Sequence, residues 1–501
     1  MPSRSSLSLG PDVSLACEEV ERAALRAGTS LQTTDAADEA LASARSALNR
    51  ARAEGRSIYG VTTGLGPLVD ETAASEEADR GGELIAHLGT GAGAFAAPPL
   101  VRATMIVRLQ ALVQGHSAVR PALVDGVMRV VEANLVPAVP EIGSLGASGD
   151  LTPLAHVARA CTGEGFVVED GDQLVDADEA LVEAGLSPLS LDRRDALGLV
   201  NGTAFMTAYA ALALARGWRL LERAEALTGW MYRLLGCSLE ALDARLHEAR
   251  GHSGQAESAA AIREVATQGE RVSSADRPLQ EVYSLRCAPQ VLGAVRDQLR
   301  YVRGLVETEL NGATDNPVLD AEDADVLHGG NFQGQQVAFA ADALNEALTQ
   351  VGVLAERQLD MLLSPDQNGG APPLLAWEPG PNSGFGGAQL TATALVAEMR
   401  SDAQMAATAS IPTNGDNQDV VSMGALAARR AYGQTDHLAP ILSVAGLALA
   451  QLTHLRAGGR ADGPAPNPPD WMPAFDPVRK DRALRNEIDR LADHWLSPSS
   501  S

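Results

Sequence analysis

The chain has 501 residues, of which 64 are Asp or Glu and 39 are Lys or Arg, a formal net charge of −25. Such a field repels phosphate backbones and anionic lipid, so neither nucleic acid nor a membrane surface is expected as a partner. Hydrophobic residues make up 45% and aromatics only 4%. A large core is therefore available, but Ala, Leu, Val and Met must fill it, which favours packed helices over a β-sandwich.

The residues from Met1 to Ser6 lead into no apolar signal core. Val101, Met105, Leu109 and Leu112 recur at helical steps and predict a helix over 100–114. Phe166 to Val168 and Leu174-Val175 flank Glu169-Asp170-Gly171-Asp172 and predict a small hairpin. The Ala/Leu-rich stretches 203–235 and 336–363 predict long helices, the second apolar nearly all round and so placed inside a bundle. A further helix is expected over 388–410. A Pro/Gly-rich linker is expected over 457–473, and a last amphipathic helix through Leu484, Ile488, Leu491 and Trp495. The fold class expected is all-α, with an N-terminal part over 1–200, a central helix bundle over 201–456, and a linker with the C-terminal helix over 457–501.

No run of about 20 apolar residues predicts a membrane span. Cys17, Cys161, Cys237 and Cys287 are scattered without paired spacing, which predicts neither a disulfide framework nor a zinc site and suits a reducing cytoplasm. No His, Asp or Glu cluster has metal spacing, so no metal is expected.

The glycine-rich breaks carry the information. Gly143 to Ala158 reads GSLGASGDLTPLAHVA. Thr152 followed by Pro153 predicts a helix start, with Thr152 as N-cap and Pro153 first in the helix. Ala147-Ser148-Gly149 then sits just before a helix N-terminus, with its partial positive charge. No Gly-Lys-Ser/Thr follows, so this is not a phosphate loop. Taken alone, Ala-Ser-Gly reads as a tight turn between helices.

The whole segment resembles the signature of the aromatic amino acid ammonia-lyase family: histidine, phenylalanine and tyrosine ammonia-lyases and the related 2,3-aminomutases. The likeness runs from about 55 to 496. It recurs at 59–66 (YGVTTGLG), 199–207 (LVNGTAFMT), 280–293 (QEVYSLRCAPQVLG), 314–318 (TDNPV) with 328–334 (HGGNFQG), 382–400 (NSGFGGAQLTATALVAEMR) and 413–424 (TNGDNQDVVSMG). It is greatest to bacterial tyrosine ammonia-lyases.

The resemblance implies that Ala147, Ser148 and Gly149 cyclise into 4-methylideneimidazol-5-one (MIO), with no external cofactor. The residue types suit that chemistry. The Gly149 nitrogen must attack the Ala147 carbonyl, so bulky neighbours are excluded, and Gly149 accepts the strained backbone. Ser148 then loses water to leave an exocyclic methylidene. Such an electrophile is needed because the β-proton of an α-amino acid is unactivated and an amine leaves poorly. Capture of the amine splits one hard step into easier ones.

Other roles follow from the resemblance. Tyr59 is implied as the base that takes the β-proton, although a phenol with pKa near 10 is a weak base unless its anion is stabilised. Read alone, Tyr59 is a loop tyrosine packed for shape. Thr62 stands where many members have Asn. Arg286 resembles the arginine that grips the substrate carboxylate, a pairing its guanidinium fork suits. Tyr283 and Asn201 resemble the residues contacting the carboxylate and the prosthetic ring; by itself Asn201 could equally be a turn or cap residue. Gln280 and Asn331 match polar positions near the substrate. Phe332 matches an aromatic wall, though its composition alone says core.

Two places bear on substrate choice. His87-Leu88 matches the His-Leu pair of tyrosine-selective lyases, and a His there can hydrogen-bond a phenolic hydroxyl. In Asn417-Gln418, the glutamine stands where histidine lyases carry Glu, against a basic imidazole substrate. A site built to pair a hydroxyl discriminates strongly against an analogue lacking it. Asp416, Asp419, His116 and His156 are further polar candidates, His156 reading as a core or capping histidine. The expectation is a homotetramer with sites built from three subunits, converting L-tyrosine to trans-p-coumarate and ammonia, with L-phenylalanine to cinnamate as a side activity. The rivals are a 2,3-aminomutase, a histidine ammonia-lyase, and a non-catalytic helical scaffold whose Ala-Ser-Gly never cyclises.

Overall fold

The computed structural model describes residues 6–70, 81–169, 173–272, 277–321, 325–461 and 467–498. The fold is all-α in character. Helices dominate, and the strands among the described residues form four two-stranded ladders. The chain divides into two compact units, each assembled from separated stretches. The first comprises Met1–Leu212, Arg303–Asp342 and Met405–Arg429; the second comprises Ala213–Val302, Ala343–Gln404 and Arg430–Ser501.

In the first unit, Asp35–Ala53 is helical because Ala37, Leu41, Ala44, Leu48 and Ala51 repeat at three- and four-residue steps and bury one stripe. Thr34 caps it, accepting the Ala37 N–H at 3.3 Å. The predicted helix over 100–114 is Pro98–Val113. It is buried on almost every face and carries Arg102 and Arg108 into the core. Arg108 donates to the Gly198 carbonyl at 2.9 Å and the Thr314 carbonyl at 2.8 Å. It faces Asp315, which also pairs with buried Arg194. Breaking one member would strand a buried charge, which costs several kcal/mol. The hairpin forms as expected, Phe166–Glu169 pairing antiparallel with Gln173–Asp176, while its tip, 170–172, lies outside the described residues.

In the second unit the core is aliphatic: Leu227, Leu299, Leu348, Val351, Ile441, Leu442 and Leu449 are buried, with Trp230 and Trp495. Gln451 acts as a buried clamp. Its Nε2 donates to the carbonyls of Leu375 at 3.1 Å and Val478 at 3.0 Å, and its Oε1 accepts the Val478 N–H at 2.8 Å. The last helix is Arg485–Leu496, burying Ile488, Leu491, Ala492 and Trp495.

The expected long helices occur as Ala204–Leu235 and Gln335–Leu363. A third, Gly424–Ala457, follows the 413–424 motif. The helix expected over 388–410 is Gly386–Asp402 and stops short. Beyond it the Asp342 carboxylate takes the N–H groups of Ala406 and Ala407, at 3.1 and 2.8 Å, in place of a continuing helical ladder. Two helical stretches, Arg193–Leu235 and Gly424–Ala457, are long and apolar enough to span a membrane by composition, but their most apolar windows are 100% and 89% buried in the fold. Apolarity here reflects burial against protein. The prolines at 464 and 466 of the expected linker lie outside the described residues.

Candidate active site

The Gly143–Asp150 loop joins the strand Pro140–Ile142 to the helix Leu151–Cys161. That helix begins earlier than the sequence predicts. Asp150 occupies the N-cap position without a side-chain cap, and Thr152 Oγ is buried without a partner. Asp150 is not spent on its own helix because its carboxylate turns inward. Oδ2 accepts the Met206 N–H at 2.9 Å, and Oδ1 accepts from the Ser144 hydroxyl at 2.6 Å. Pro153 falls third in the helix, where its missing N–H leaves no ladder bond broken.

Gly149 has φ +68°, and any Cβ there would lie 2.3 Å from the Gly202 carbonyl oxygen. Only glycine fits both the left-handed backbone and the space. The next residue donates its N–H to that same carbonyl at 2.7 Å. Upstream, the Gly146 N–H donates to Ser144 Oγ at 3.0 Å. The Gly146 carbonyl accepts from Ser422 Oγ at 2.8 Å and the Gly334 N–H at 3.2 Å. Gly146, Gly334 and Gly424 all close around Met206, where a Cβ on any of them would come within 2.8 Å of its Sδ or Cε. This packing brings the starts of the helices Ala204–Leu235, Gln335–Leu363 and Gly424–Ala457 against the loop, and their N-termini supply partial positive charge.

Asp150 is fully buried. Burial pushes its carboxyl up to about 7 against the opposing hydrogen bonds from Ser144, Met206 and Phe205, and nearby Glu309 adds to the rise. Glu309 is itself raised by burial and accepts from Thr203 Oγ at 2.5 Å. Two weakly acidic carboxyls thus stand behind the loop.

Ser148 is half-buried, and its Oγ accepts from Gln418 Nε2 at 2.7 Å. Gln418 and Asn417 sit on a tight turn closed by paired backbone bonds between Thr413 and Gln418, at 3.1 and 3.3 Å. Tyr59 Oη accepts the Gly66 N–H at 2.8 Å, and the Tyr59 N–H donates to His328 Nε2 at 3.1 Å. Gly66 in turn abuts the Asn414 amide of the Gln418 turn. Thr62 holds the Tyr59 turn by accepting the Ile58 N–H at 2.7 Å. Asn331 is exposed and Phe332 half-buried on the turn that ends at Gly334.

Asn201 lies 3% exposed, its Nδ2 donating to Asp315 Oδ1 and the Asn316 carbonyl, both at 3.1 Å. It ties the loop's support to the Arg108–Asp315–Arg194 network. His87 is exposed at the end of the helix Gly82–Leu88, with Nδ1 3.4 Å from the Glu83 carbonyl, and Leu88 is half-buried.

Gln280, Tyr283 and Arg286 belong to the second unit. Tyr283–Arg286 is a single helical turn whose carbonyls are pinned. Gln358 Nε2 donates to Ser284 at 2.9 Å and the Tyr232 hydroxyl to Leu285 at 3.0 Å. The Arg286 guanidinium stacks over the Tyr283 ring at 4.7 Å, and its Nε is buried without a partner. Tyr283 is 70% exposed. The His116 Nδ1 faces the Leu319 carbonyl at 3.1 Å, a structural contact. Among the described residues, no group of three or more His, Cys, Asp or Glu side chains could hold a metal ion. A surface cavity of about 440 Å³ lies elsewhere, lined by Arg120, Leu123, Arg129 and the 185–191 turn, apart from all these residues.

Sequence reasoning missed Asp150, Ser144, Ser422 and the Thr203–Glu309 pair. Asp150 had a signal, since it directly follows Ala-Ser-Gly. The others become visible only when chain segments far apart in sequence meet.

A family model described as aromatic amino acid lyase matches residues 15–468. The tyrosine ammonia-lyase of Cupriavidus metallidurans is 42% identical over 447 residues, covering 85% of this chain and 84% of that protein. The histidine ammonia-lyase of Geobacillus thermodenitrificans is 40% identical over 408 residues, covering 81% of each. The crystal structure of the tyrosine aminomutase from Streptomyces globisporus superposes with a TM-score of 0.87 at 35% identity, covering 98% of this chain and 97% of that one. With the family pattern running through the loop, its three supporting helix starts and the Tyr59 turn, the chain is an enzyme, a carbon–nitrogen lyase, and belongs to the aromatic amino acid lyase family.

Proposed function

We propose that this enzyme eliminates ammonia from L-tyrosine to give trans-p-coumarate, with L-phenylalanine as a weaker substrate, using MIO made from Ala147, Ser148 and Gly149. The observation that carries the reading is the Gly149 backbone, held left-handed against Gly202 with no room for a side chain. Cyclisation joins the Gly149 nitrogen to the Ala147 carbonyl carbon and expels two waters, one of them carrying the Ser148 hydroxyl. The residues present fit this group. The donor on Ser148 Oγ faces the oxygen that must leave, and buried Asp150, raised to about 7, can give or take a proton close to neutrality. Once formed, the group supplies an electrophile for the substrate amine.

The chain's own residues would do the rest. Tyr59 would take the β-proton, and the Gly66 N–H on its oxygen stabilises charge there. The orphaned Nε of Arg286 marks a guanidinium with unused donor capacity, suited to a carboxylate. Tyr283, Asn201, Gln280, Asn331 and Phe332 would line the substrate. His87 with Leu88 would meet the phenol end. Gln418 with Asn417 would suit a neutral ring better than an imidazolium.

The reading includes a homotetramer. Tyr283 is 70% exposed and Leu279 88% exposed in a segment meant to hold substrate, and Leu390 is 74% exposed on the helix Gly386–Asp402. Exposed apolar side chains of this kind suit cover by other copies. The cytoplasm is the compartment proposed, on the strength of four unpaired thiols.

The test is separate incubation with L-tyrosine, L-phenylalanine and L-histidine, with chromatographic identification of products, beside the intact mass of the chain. Coumarate in excess and a mass lower by two waters are expected. Urocanate in excess would overturn the substrate, and an unshifted mass the prosthetic group. A second reading, tyrosine 2,3-aminomutase, is favoured by the similarity to the Streptomyces globisporus enzyme; β-tyrosine among the products would select it.

A further inference from the structure

The helix Leu151–Cys161 starts at the Ala147–Gly149 loop and packs beside the segment that follows helix Gly82–Leu88. His156 Nε2 lies 2.9 Å from the Thr90 carbonyl oxygen. A carbonyl only accepts, so Nε2 carries the hydrogen and donates it. Burial lowers the pKa of this imidazole below its ordinary value, which favours the neutral ring. Three residues on, Arg159 lies against Gly89, where an added Cβ would come within 2.4 Å of its Nη1. The Gly89 N–H bonds the Ala86 carbonyl at 3.1 Å and the Thr90 N–H the Leu88 carbonyl at 2.7 Å. Downstream, Ala92–Phe95 pairs antiparallel with Pro140–Ile142, the strand that leads into the loop. The backbone from Gly89 to Ala92 is therefore fastened on both sides to the elements flanking Ala147–Gly149. His87 has no such anchor of its own, since its imidazole is exposed with a 3.4 Å contact to the Glu83 carbonyl.

We infer that His156 is a positioning residue for substrate selection: by holding the Thr90 carbonyl it fixes the backbone that carries His87 and Leu88 relative to the reacting loop. A ring hydroxyl on the substrate is then met at one depth, and a substrate without the hydroxyl gains nothing from the constraint. The inference rests on the proposed reading of His87 as the residue that meets the phenol.

The experiment uses the purified full-length enzyme in four forms: wild type, His156→Leu, His156→Gln and His87→Phe. Each is assayed for kcat/KM with L-tyrosine and L-phenylalanine, and amide hydrogen exchange is followed across 86–92. His156→Leu should lower the tyrosine-to-phenylalanine ratio about tenfold, the scale of one weakened hydrogen bond, and speed exchange at Gly89 to Gly91. His156→Gln keeps a donor and should restore the ratio to within about twofold. A histidine with a merely structural task would lower both substrates together. If His87→Phe shifts the ratio while His156→Leu leaves it unchanged, the inference is overturned and the reading of His87 stands. If His87→Phe leaves the ratio unchanged, the reading of His87 falls and takes the inference with it. Should His156→Leu fail to fold, His156→Asn, polar but too short to reach Thr90, replaces it under the same criteria.

Discussion

The Gly143–Asp150 loop and the Tyr283–Arg286 turn carry the two ends of the proposed chemistry, and they are built in opposite ways. In the loop nearly every polar group is spoken for: Asp150 by Ser144 and Met206, Gly146 by Ser422 and Gly334, Ser148 by Gln418. On the turn only the backbone is tied, through Tyr232 and Gln358, while Tyr283 stands exposed and the Arg286 Nε lacks a partner. A group that must make its own electrophile needs rigid geometry before any ligand arrives. A group that must grip a carboxylate needs donors left unsatisfied. In the proposed chemistry the difference separates maturation, which the loop's own contacts would support, from binding, for which the turn keeps a guanidinium donor unpaired.

The largest effect should come from the loop. Ser148→Ala removes the hydroxyl whose departure would create the proposed alkene, so turnover should fall to background while the folded protein persists on size exclusion. Its intact mass should show no loss of the second water. Full activity in this variant would break the proposed division of labour.

A smaller effect should come from the turn. Arg286→Ala should raise KM for L-tyrosine by about one to two orders of magnitude, the worth of a charge-assisted pair. The intact mass should still fall two waters below that of the substituted sequence, because Arg286 has no part in the proposed cyclisation. An unchanged KM would reassign Arg286; an unprocessed mass would give Arg286 a part in maturation.

How far the sequence discloses each region follows from the same contrast. The loop is legible only through the whole 143–158 segment, whose likeness to the family signature singles it out; Ala147-Ser148-Gly149 by itself reads as a tight turn. The long helices Ala204–Leu235 and Gln335–Leu363 are legible because apolar residues run through them with no breaker beyond isolated glycines. The exact start of Leu151–Cys161 is not, because Asp150 is drawn inward by Met206, a residue 56 positions away. The network around Asn201 is equally hidden: Arg194 and Asp315 are 121 positions apart, and nothing local to either announces a buried pair. A unit assembled from three separated stretches likewise leaves no mark on a reading in chain order.

The buried acid behind the loop offers the finest test of the contrast, because it should make the loop region sensitive to pH where the turn is not. Asp150 is raised by burial from an ordinary carboxyl value of 3.8 to about 7 in the folded protein. The folded state therefore binds this proton more tightly than the unfolded chain. Linkage then fixes the sign: where the native state holds more protons, stability falls as pH rises. The contribution is fully present below about pH 4, the value in the unfolded chain, and is lost progressively as pH rises through 7. Asp150→Asn keeps the shape and stays neutral at every pH, so it should abolish this slope. Comparing urea midpoints at pH 5 and pH 7.5, wild type should lose more stability than Asp150→Asn, by no more than about 1.4 kcal/mol per pH unit for one proton. Equal losses in the two proteins would mean that Asp150 is ionised inside the fold. Proton exchange at the loop would then need another source, with Glu309, raised by burial and bonded to Thr203, the nearest alternative.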